Sequence, residues 1–148
     1  MNSLFRNASG CIDTTAGIAL TRIFCDEEKA REQALLEWMK TRPRVYIVSK
    51  FRGDTEENVR NAIRYCRHAI ALGKMPVASH LLYPQILDDS SSFERKLGLQ
   101  FGLSLLASCD EVWIFNHNRE MSDGMRAELR EARRLGKKVR FIDTEELQ

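Results

Sequence analysis

From residue 44 onward, short apolar runs alternate with stretches whose apolar residues recur every three or four positions. Residues 44–49 (RVYIVS) form a continuous run rich in β-branched and aromatic side chains, the pattern of a parallel strand buried on both faces. After the loop KFRGD, Asp54 and Glu57 have the spacing of a capping box. Val59, Ile63, Cys66 and Ile70 then make a helical stripe that stops at Gly73. Residues 75–79 predict a short second strand with Pro76 at its start, followed by the loop HLLYPQILDDSSS. Helical periodicity resumes over 93–107 despite Gly98 and Gly102. Residues 111–116 (EVWIFN) read as a third strand, 125–135 as a third helix and 138–142 (KVRFI) as a fourth strand.

The order β-α-β-α-β-α-β predicts an α/β fold: a Rossmann-like or flavodoxin-like three-layer sandwich around a parallel sheet of four to five strands. In such sheets ligands bind outside the carboxyl ends of the strands, near the point where strand order reverses. Those ends are residues 49–54, 80–83 and 116–124. The first 43 residues differ in character. Residues 14–24 and 26–40 both read as helices, the second carrying Ala34, Leu35, Trp38 and Met39, and Pro43 favours an extended link into the first strand. The expected organisation is an N-terminal helical hairpin (1–43), packed on the core or on a partner subunit, ahead of an α/β domain (44–148).

Composition narrows the function classes. The chain has 148 residues, 43% hydrophobic and 30% charged, ordinary values for one globular domain. A net charge of +2 argues against a dedicated nucleic-acid binder. The longest apolar run, near 103–107, is too short to span a bilayer. Cys11, Cys25, Cys66 and Cys109 make no CxxC pair, and with no signal peptide visible they read as reduced thiols in a cytoplasm.

One acidic residue stands out. On a helix from Met125 to Leu135, at about 100° per residue, Met125, Leu129, Ala132 and Leu135 share a face, and Glu128 falls among them. The arginines Arg126, Arg130, Arg133 and Arg134 point the other way. Glu128 is either a helix-edge residue whose carboxylate reaches solvent or an arginine, or a group held in a ligand site. Its place beside the carboxyl end of the third strand favours the second reading. So does the preceding turn Ser122-Asp123-Gly124, which opens a helix where free amides and the dipole favour an anion. A nucleophilic carboxylate beside an anion-holding loop suits attack on a sugar phosphate.

The pattern Ser122-x-Gly124-x-x-x-Glu128-Leu129-x-x-Ala132-x-x-Leu135-Gly136-Lys137-x-Val139 resembles the signature of nucleoside 2-deoxyribosyltransferases. It is still more similar to that of their relatives, the 2′-deoxynucleoside 5′-monophosphate N-glycosidases. Tyr46 followed by Arg52-Gly53, Cys109-Asp110 before a hydrophobic strand, and His80 after the second strand agree with the same pattern. The stretches HLLYPQ, CDEVWIF and SDGMRAE look closest to small bacterial and phage members. The resemblance covers roughly residues 44–142.

It implies that Glu128 attacks the anomeric carbon and that water or a second base resolves the glycosyl-enzyme ester, the retaining logic of two-step glycoside chemistry. It also implies that Tyr46 holds Glu128 in position. Ser122, the amides near Gly124 and Met125, and Arg52-Gly53 would hold a 5′-phosphate, with His80 contacting substrate or stabilising a turn. A serine rather than an acid at position 122 favours a nucleotide over a free nucleoside. The family's Gly-Ser after the first strand is here Ser49-Lys50, which would narrow the phosphate approach or add a charge to it. Asp123 beside a phosphate is unfavourable unless it points outward or caps the helix.

The family's leaving-group acid falls here near Gly102, with no carboxylate close by. Loss of a general acid costs about 10²–10⁴ in rate. Asp110 is the substitute within the chain, unless it only fixes a turn, and a neighbouring subunit could offer Asp88, Asp89 or Glu94. No metal or other cofactor is implied. The expected partner is a small nucleoside or nucleotide, not nucleic acid or a membrane, in a homodimer or higher homo-oligomer. The expected activity is N-glycosidic bond hydrolysis or deoxyribosyl transfer. The alternatives are a protein that binds a nucleotide without cleaving it, and a structural protein in which Glu128 pairs with an arginine.

Other residues carry less. His117 in NHNR has no second histidine or acidic cluster at ligand spacing and reads as a loop residue. His68 reads as solvated on a cationic helix face. Trp113 and Phe115 read as core. The series Arg126, Arg130, Arg133, Arg134, Lys137 and Lys138, interspersed with glutamates, reads as a solvated face.

Overall fold

The structure, a computed structural model, describes residues 14–115, 121–144 and 147. The chain divides into two units, residues 1–41 and 42–148. In the first, Thr14–Lys40 is one continuous helix, α1. The expected hairpin is therefore corrected to a single helix. Only Cys25 separates the two predicted segments, and no glycine or proline stands between residues 18 and 40 to make a turn.

The second unit runs β1 (Arg44–Val48), α2 (Thr55–Ala71), β2 (Met75–Val77), α3 (Ser92–Ala107), β3 (Glu111–Phe115), α4 (Asp123–Arg134) and β4 (Lys138–Ile142). Two short 3₁₀ turns, Ser79–Leu81 and Tyr83–Gln85, join β2 to α3. All pairings are parallel and the strand order is β2-β1-β3-β4. The order reverses between β1 and β3, as the α/β pattern predicts.

The central strands explain their own composition. Val45–Val48 and Val112–Phe115 are all fully buried, because both faces of the sheet are covered. The pleat sends Tyr46, Val48, Val112 and Ile114 to the face that packs on Leu106 of α3 and on Met125 and Ala132 of α4. It sends Val45, Ile47, Trp113 and Phe115 to the face that packs on Tyr65 and Ala69 of α2. The result is the three-layer arrangement with α2 on one side and α3 and α4 on the other.

Local chemistry sets the helix ends. Asp54 Oδ1 accepts from the Glu57 amide at 3.0 Å, and Ser91 Oγ and Ser122 Oγ cap α3 and α4 in the same manner. Gly73, at φ 68°, turns the chain after α2.

The buried stripe of α2 differs from expectation. Ala62, Tyr65 and Ala69 meet the sheet, whereas Ile63 and Ile70 are exposed. The helix is rotated by about a quarter-turn from the Val59-Ile63-Cys66-Ile70 stripe. The two alanines let its backbone approach the strands while Tyr65 stacks on Phe115 at 4.1 Å. His68, expected as solvated, is half-buried; its ring lies edge-on to Phe115 at 6.5 Å and tilted against Trp113 at 6.2 Å. The arginines of α4 do face solvent, Arg134 pairing with Glu131 at 2.7 Å. No described helix is long and apolar enough to cross a membrane.

At the amino ends of the strands sits a buried carboxylate, Glu111. It accepts from Lys74 Nζ at 2.9 Å and from Trp113 Nε1 at 3.0 Å. Burial alone would raise its pKa, but these two hydrogen bonds and the charges of Lys74 and Lys138 hold it below the usual carboxylate value. A folded pKa below the unfolded value of about 4.3 gives stability that is present above that pH and lost as the pH falls through the folded value. Glu111→Gln is therefore expected to cost about 1–3 kcal/mol at neutral pH. Urea unfolding should show the gap between wild type and variant closing as the buffer is taken below about pH 4; a pH-independent gap would contradict this account.

Candidate functional site

The apolar run of β1 carries Tyr46 onto the α3/α4 face and delivers Ser49 to the carboxyl end of the sheet. On α4, Met125, Glu128 and Ala132 recur at helical spacing and are the buried residues of that helix. Glu128 thus lies on the buried stripe at 3% exposure.

Glu128 is held from one side only. Tyr46 Oη donates to Glu128 Oε1 at 2.8 Å and is also 2.8 Å from Ser79 Oγ. Because the phenol has a single proton, Ser79 is then the donor to Tyr46, giving a chain Ser79→Tyr46→Glu128. Glu128 Oε2 has no hydrogen-bond partner, and neither does Ser49 Oγ; they are the buried side-chain polar atoms left unsatisfied among the described residues. Buried polar atoms are ordinarily paired, so two orphans beside one cavity point to a ligand.

Electrostatics follow from this geometry. Burial pushes the Glu128 carboxyl up to about 7, the Tyr46 hydrogen bond pulling the other way. Burial, with the charge of Glu128, drives the Tyr46 phenol far above its usual value, so it remains a donor. Burial lowers the pKa of His80, which keeps the imidazole neutral near pH 7.

These groups border a cavity of about 660 Å³ at the β1/β3 switch point. The end of β1 contributes Ser49, Lys50 and Arg52, the turn after β2 contributes Ser79 and His80, and the start of α4 contributes Ser122, Gly124, Met125 and Glu128. Ser122 Oγ accepts from the Met125 amide at 3.2 Å. Of the residues expected from the sequence, Tyr46 stands behind Glu128, and eight line the cavity: Ser49, Lys50, Arg52, His80, Ser122, Gly124, Met125 and Glu128.

Two expected residues are not brought there. Gly53 does not line the cavity; at φ 105° it turns the chain towards α2, a conformation that favours glycine. Asp110 lies at the opposite edge of the sheet, where its carboxylate accepts from the Arg44 amide at 2.7 Å and its amide donates to Arg44 O at 2.9 Å. A five-residue strand separates that edge from the carboxyl ends by about 16 Å at 3.3 Å per residue. Asp110 is thus corrected from a leaving-group helper to a residue that fixes the start of β3. Asn116 and His117 lie outside the described residues.

Three features had escaped the sequence reading. Ser79, expected as the last residue of a strand, sits in a 3₁₀ turn and joins the Tyr46–Glu128 chain. Its place at the carboxyl end of β2 is the signal that would have found it. Asp89 and Glu94, considered as donations from a neighbour, line this chain's own cavity. Gly102 packs against the cluster itself: a Cβ there would lie 3.1 Å from Tyr46 Oη and 3.4 Å from Ser79 Oγ.

A carboxyl whose folded pKa exceeds its unfolded value of about 4.3 stabilises the fold fully below that pH, and the contribution is lost as the pH rises through about 7. Glu128→Gln removes this titration. Wild type is therefore expected to lose stability relative to Glu128→Gln by about 1–3 kcal/mol between pH 4.5 and 8, measured by urea unfolding. A difference independent of pH would show that Glu128 does not titrate in this range.

A family model described as a domain of unknown function, DUF7768, matches residues 43–142. No curated protein matches the chain. Among solved structures the fold is similar to a 2-deoxyribosyltransferase from the psychrotolerant bacterium Bacillus psychrosaccharolyticus. The TM-score is 0.57 at 17% sequence identity, covering 68% of this chain and 72% of that one. That likeness supports a distant relationship of fold, with the same parallel sheet between helices. The matched segment runs from the start of β1 to the end of β4 and includes every residue named at the cavity, and the chain belongs to the DUF7768 family.

Proposed function

We propose that the cavity binds a nucleoside or nucleotide and that Glu128 cleaves its N-glycosidic bond with retention, as an N-glycosidase or deoxyribosyltransferase. The observation that carries this reading is the buried Glu128, with Oε1 held by Tyr46 and Oε2 unpartnered beside the cavity. With a pKa near 7 it is substantially ionised at neutral pH, and poorly solvated, as a carboxylate nucleophile should be. Oε2 attacks C1′, the base departs, and water or a second base opens the ester. Tyr46, fixed by Ser79, sets the direction of attack.

The first amides of α4 and the Ser122 hydroxyl suit a 5′-phosphate. Lys50, Arg52 and Arg126 around the cavity add positive charge. The fold similarity to a 2-deoxyribosyltransferase is in keeping with this chemistry. We assign the site to an α/β domain of residues 44–148 with residues 1–43 as an extension. The exposed apolar side chains Ile86, Phe93 and Phe101 suit a homodimer or higher homo-oligomer.

One observation favours a second reading, binding without cleavage: glycine stands at position 102, where an acid would assist departure of the base.

Base release from nucleosides, 2′-deoxynucleotides and NAD-like compounds, followed by liquid chromatography, separates the two. Glu128→Ala and Glu128→Gln are expected to reduce release by about 10³-fold or more with unchanged circular dichroism. Binding seen by thermal shift with no release over hours would instead establish the second reading. Tyr46→Phe removes a hydrogen bond that lowers the Glu128 pKa. The rise of kcat/KM with pH should then move up by about one pH unit or more.

A further inference from the structure

The surroundings of Glu128 restrict the leaving group. Where α3 crosses the Ser79–Tyr46–Glu128 chain it presents Gly102, and a Cβ there already comes within 3.1 Å of the Tyr46 hydroxyl. A side chain at that position would require the Tyr46 hydroxyl to give by a few tenths of an ångström, and the chain carries none there. The other described carboxylates of the cavity are committed elsewhere. Asp89 faces Arg95 at 3.3 Å and Arg52 at 3.8 Å. Glu94 accepts from the Asp88 amide at 2.7 Å and lies eight residues before Gly102, about 12 Å along the helix at 1.5 Å per residue. Asp123 is fully exposed and pairs with Arg126 at 3.6 Å. The groups hydrogen-bonded to the reacting carboxylate are Tyr46 and, through it, Ser79, both weak acids, and the other nitrogen groups lining the cavity are a neutral His80 and the cations Lys50, Lys96, Arg52, Arg95 and Arg126.

A neutral purine or pyrimidine leaves as an anion unless it is protonated, and losing the acid costs about 10²–10⁴ in rate. A base whose glycosidic bond makes it a cation leaves as a neutral molecule and needs no proton. We propose that the substrate of this cavity is a nucleotide whose base is already cationic through its N-glycosylation or alkylation, a pyridinium or an N7-alkylated purine. The proposal rests on the reading of Glu128 as the nucleophile and deepens it.

Two further features fit a flat cation with a phosphate. Phe51 and His80, both lining the cavity, are stacked at 5.4 Å with an interplanar angle of 15°, and Tyr83 lines the same wall. Aromatic rings attract a cation laid over them, and a neutral His80 does not repel it. Lys50 and Lys96 also line the cavity and make no ion pair among the described residues, leaving them for the phosphate.

The reaction balances without an acid. Glu128 Oε2 forms a bond to C1′ while the C1′–N bond breaks, its electron pair neutralising the positive charge of the ring. Water then attacks C1′, the ester C1′–O bond breaks to return the carboxylate, and the water's second proton passes to solvent.

The test uses the full chain with nicotinamide mononucleotide, N7-methyl-2′-deoxyguanosine 5′-monophosphate and the unmodified 2′-deoxynucleoside 5′-monophosphates. Initial rates are corrected for uncatalysed release and followed from pH 5 to 9. The expected result is a kcat/KM for a cationic substrate at least about 10²-fold above the neutral ones. With nicotinamide mononucleotide, whose ring charge has no proton to lose, the pH profile should rise once, near the Glu128 value of about 7, and stay level to pH 9. That preference for either cationic compound supports the proposal and names the source of the charge. Neutral nucleotides cleaved within about 10²-fold of the cationic ones, or a nicotinamide mononucleotide profile that falls again at alkaline pH, would overturn it while leaving Glu128 as nucleophile. Release from none of them, or full release by Glu128→Gln, would overturn the nucleophile reading and this inference with it.

Discussion

The hydrogen bond from Tyr46 to Glu128 is the contact on which the rest of the site depends. A carboxylate on the buried face of an amphipathic helix is disfavoured unless something holds it. Here the holder comes from the central strand β1, is itself fixed by Ser79 in the turn after β2, and is overlain by Gly102 of α3. One short chain of hydroxyls therefore ties α4 to the sheet and fixes how closely α3 can approach. The chain satisfies only one carboxylate oxygen, and the other oxygen, beside the cavity, keeps the group poised between its charged and neutral forms.

Two buried glutamates show how environment decides what a residue does. Glu111, at the amino edge of the sheet, has both oxygens occupied, by Lys74 and by Trp113, and its pKa is lowered. Glu128, at the carboxyl edge, has one oxygen occupied and no cation in its pairing, and its pKa is raised. The first is a closed structural group and the second is open on the side of the cavity. Opposite shifts of like groups are the usual way a fold separates structural from chemical carboxylates.

Gly102 links the packing of α3 to the cavity. The close passage of α3 over Tyr46 is made possible by a missing Cβ at position 102. The cavity therefore has a carboxylate held by one oxygen, with no side chain of α3 reaching towards it from position 102.

The local pattern of residues determined much of this. Continuous apolar runs identified β1 and β3, a capping box and the Ser122-Asp123-Gly124 turn identified the starts of α2 and α4, and helical spacing placed Glu128 among Met125 and Ala132. These are short-range properties, set by the pleat of a strand and the pitch of a helix. Tertiary structure alone decided which side of α2 meets the sheet, because two alanines allow a closer approach than the larger Ile63 and Ile70 do. It also put Ser79 beside Tyr46, Asp110 at the far edge and Gly102 against a phenol, and made one helix of the two expected before β1. Periodicity along a chain reports which residues share a face, while the partner of that face is chosen by contacts between segments far apart in sequence.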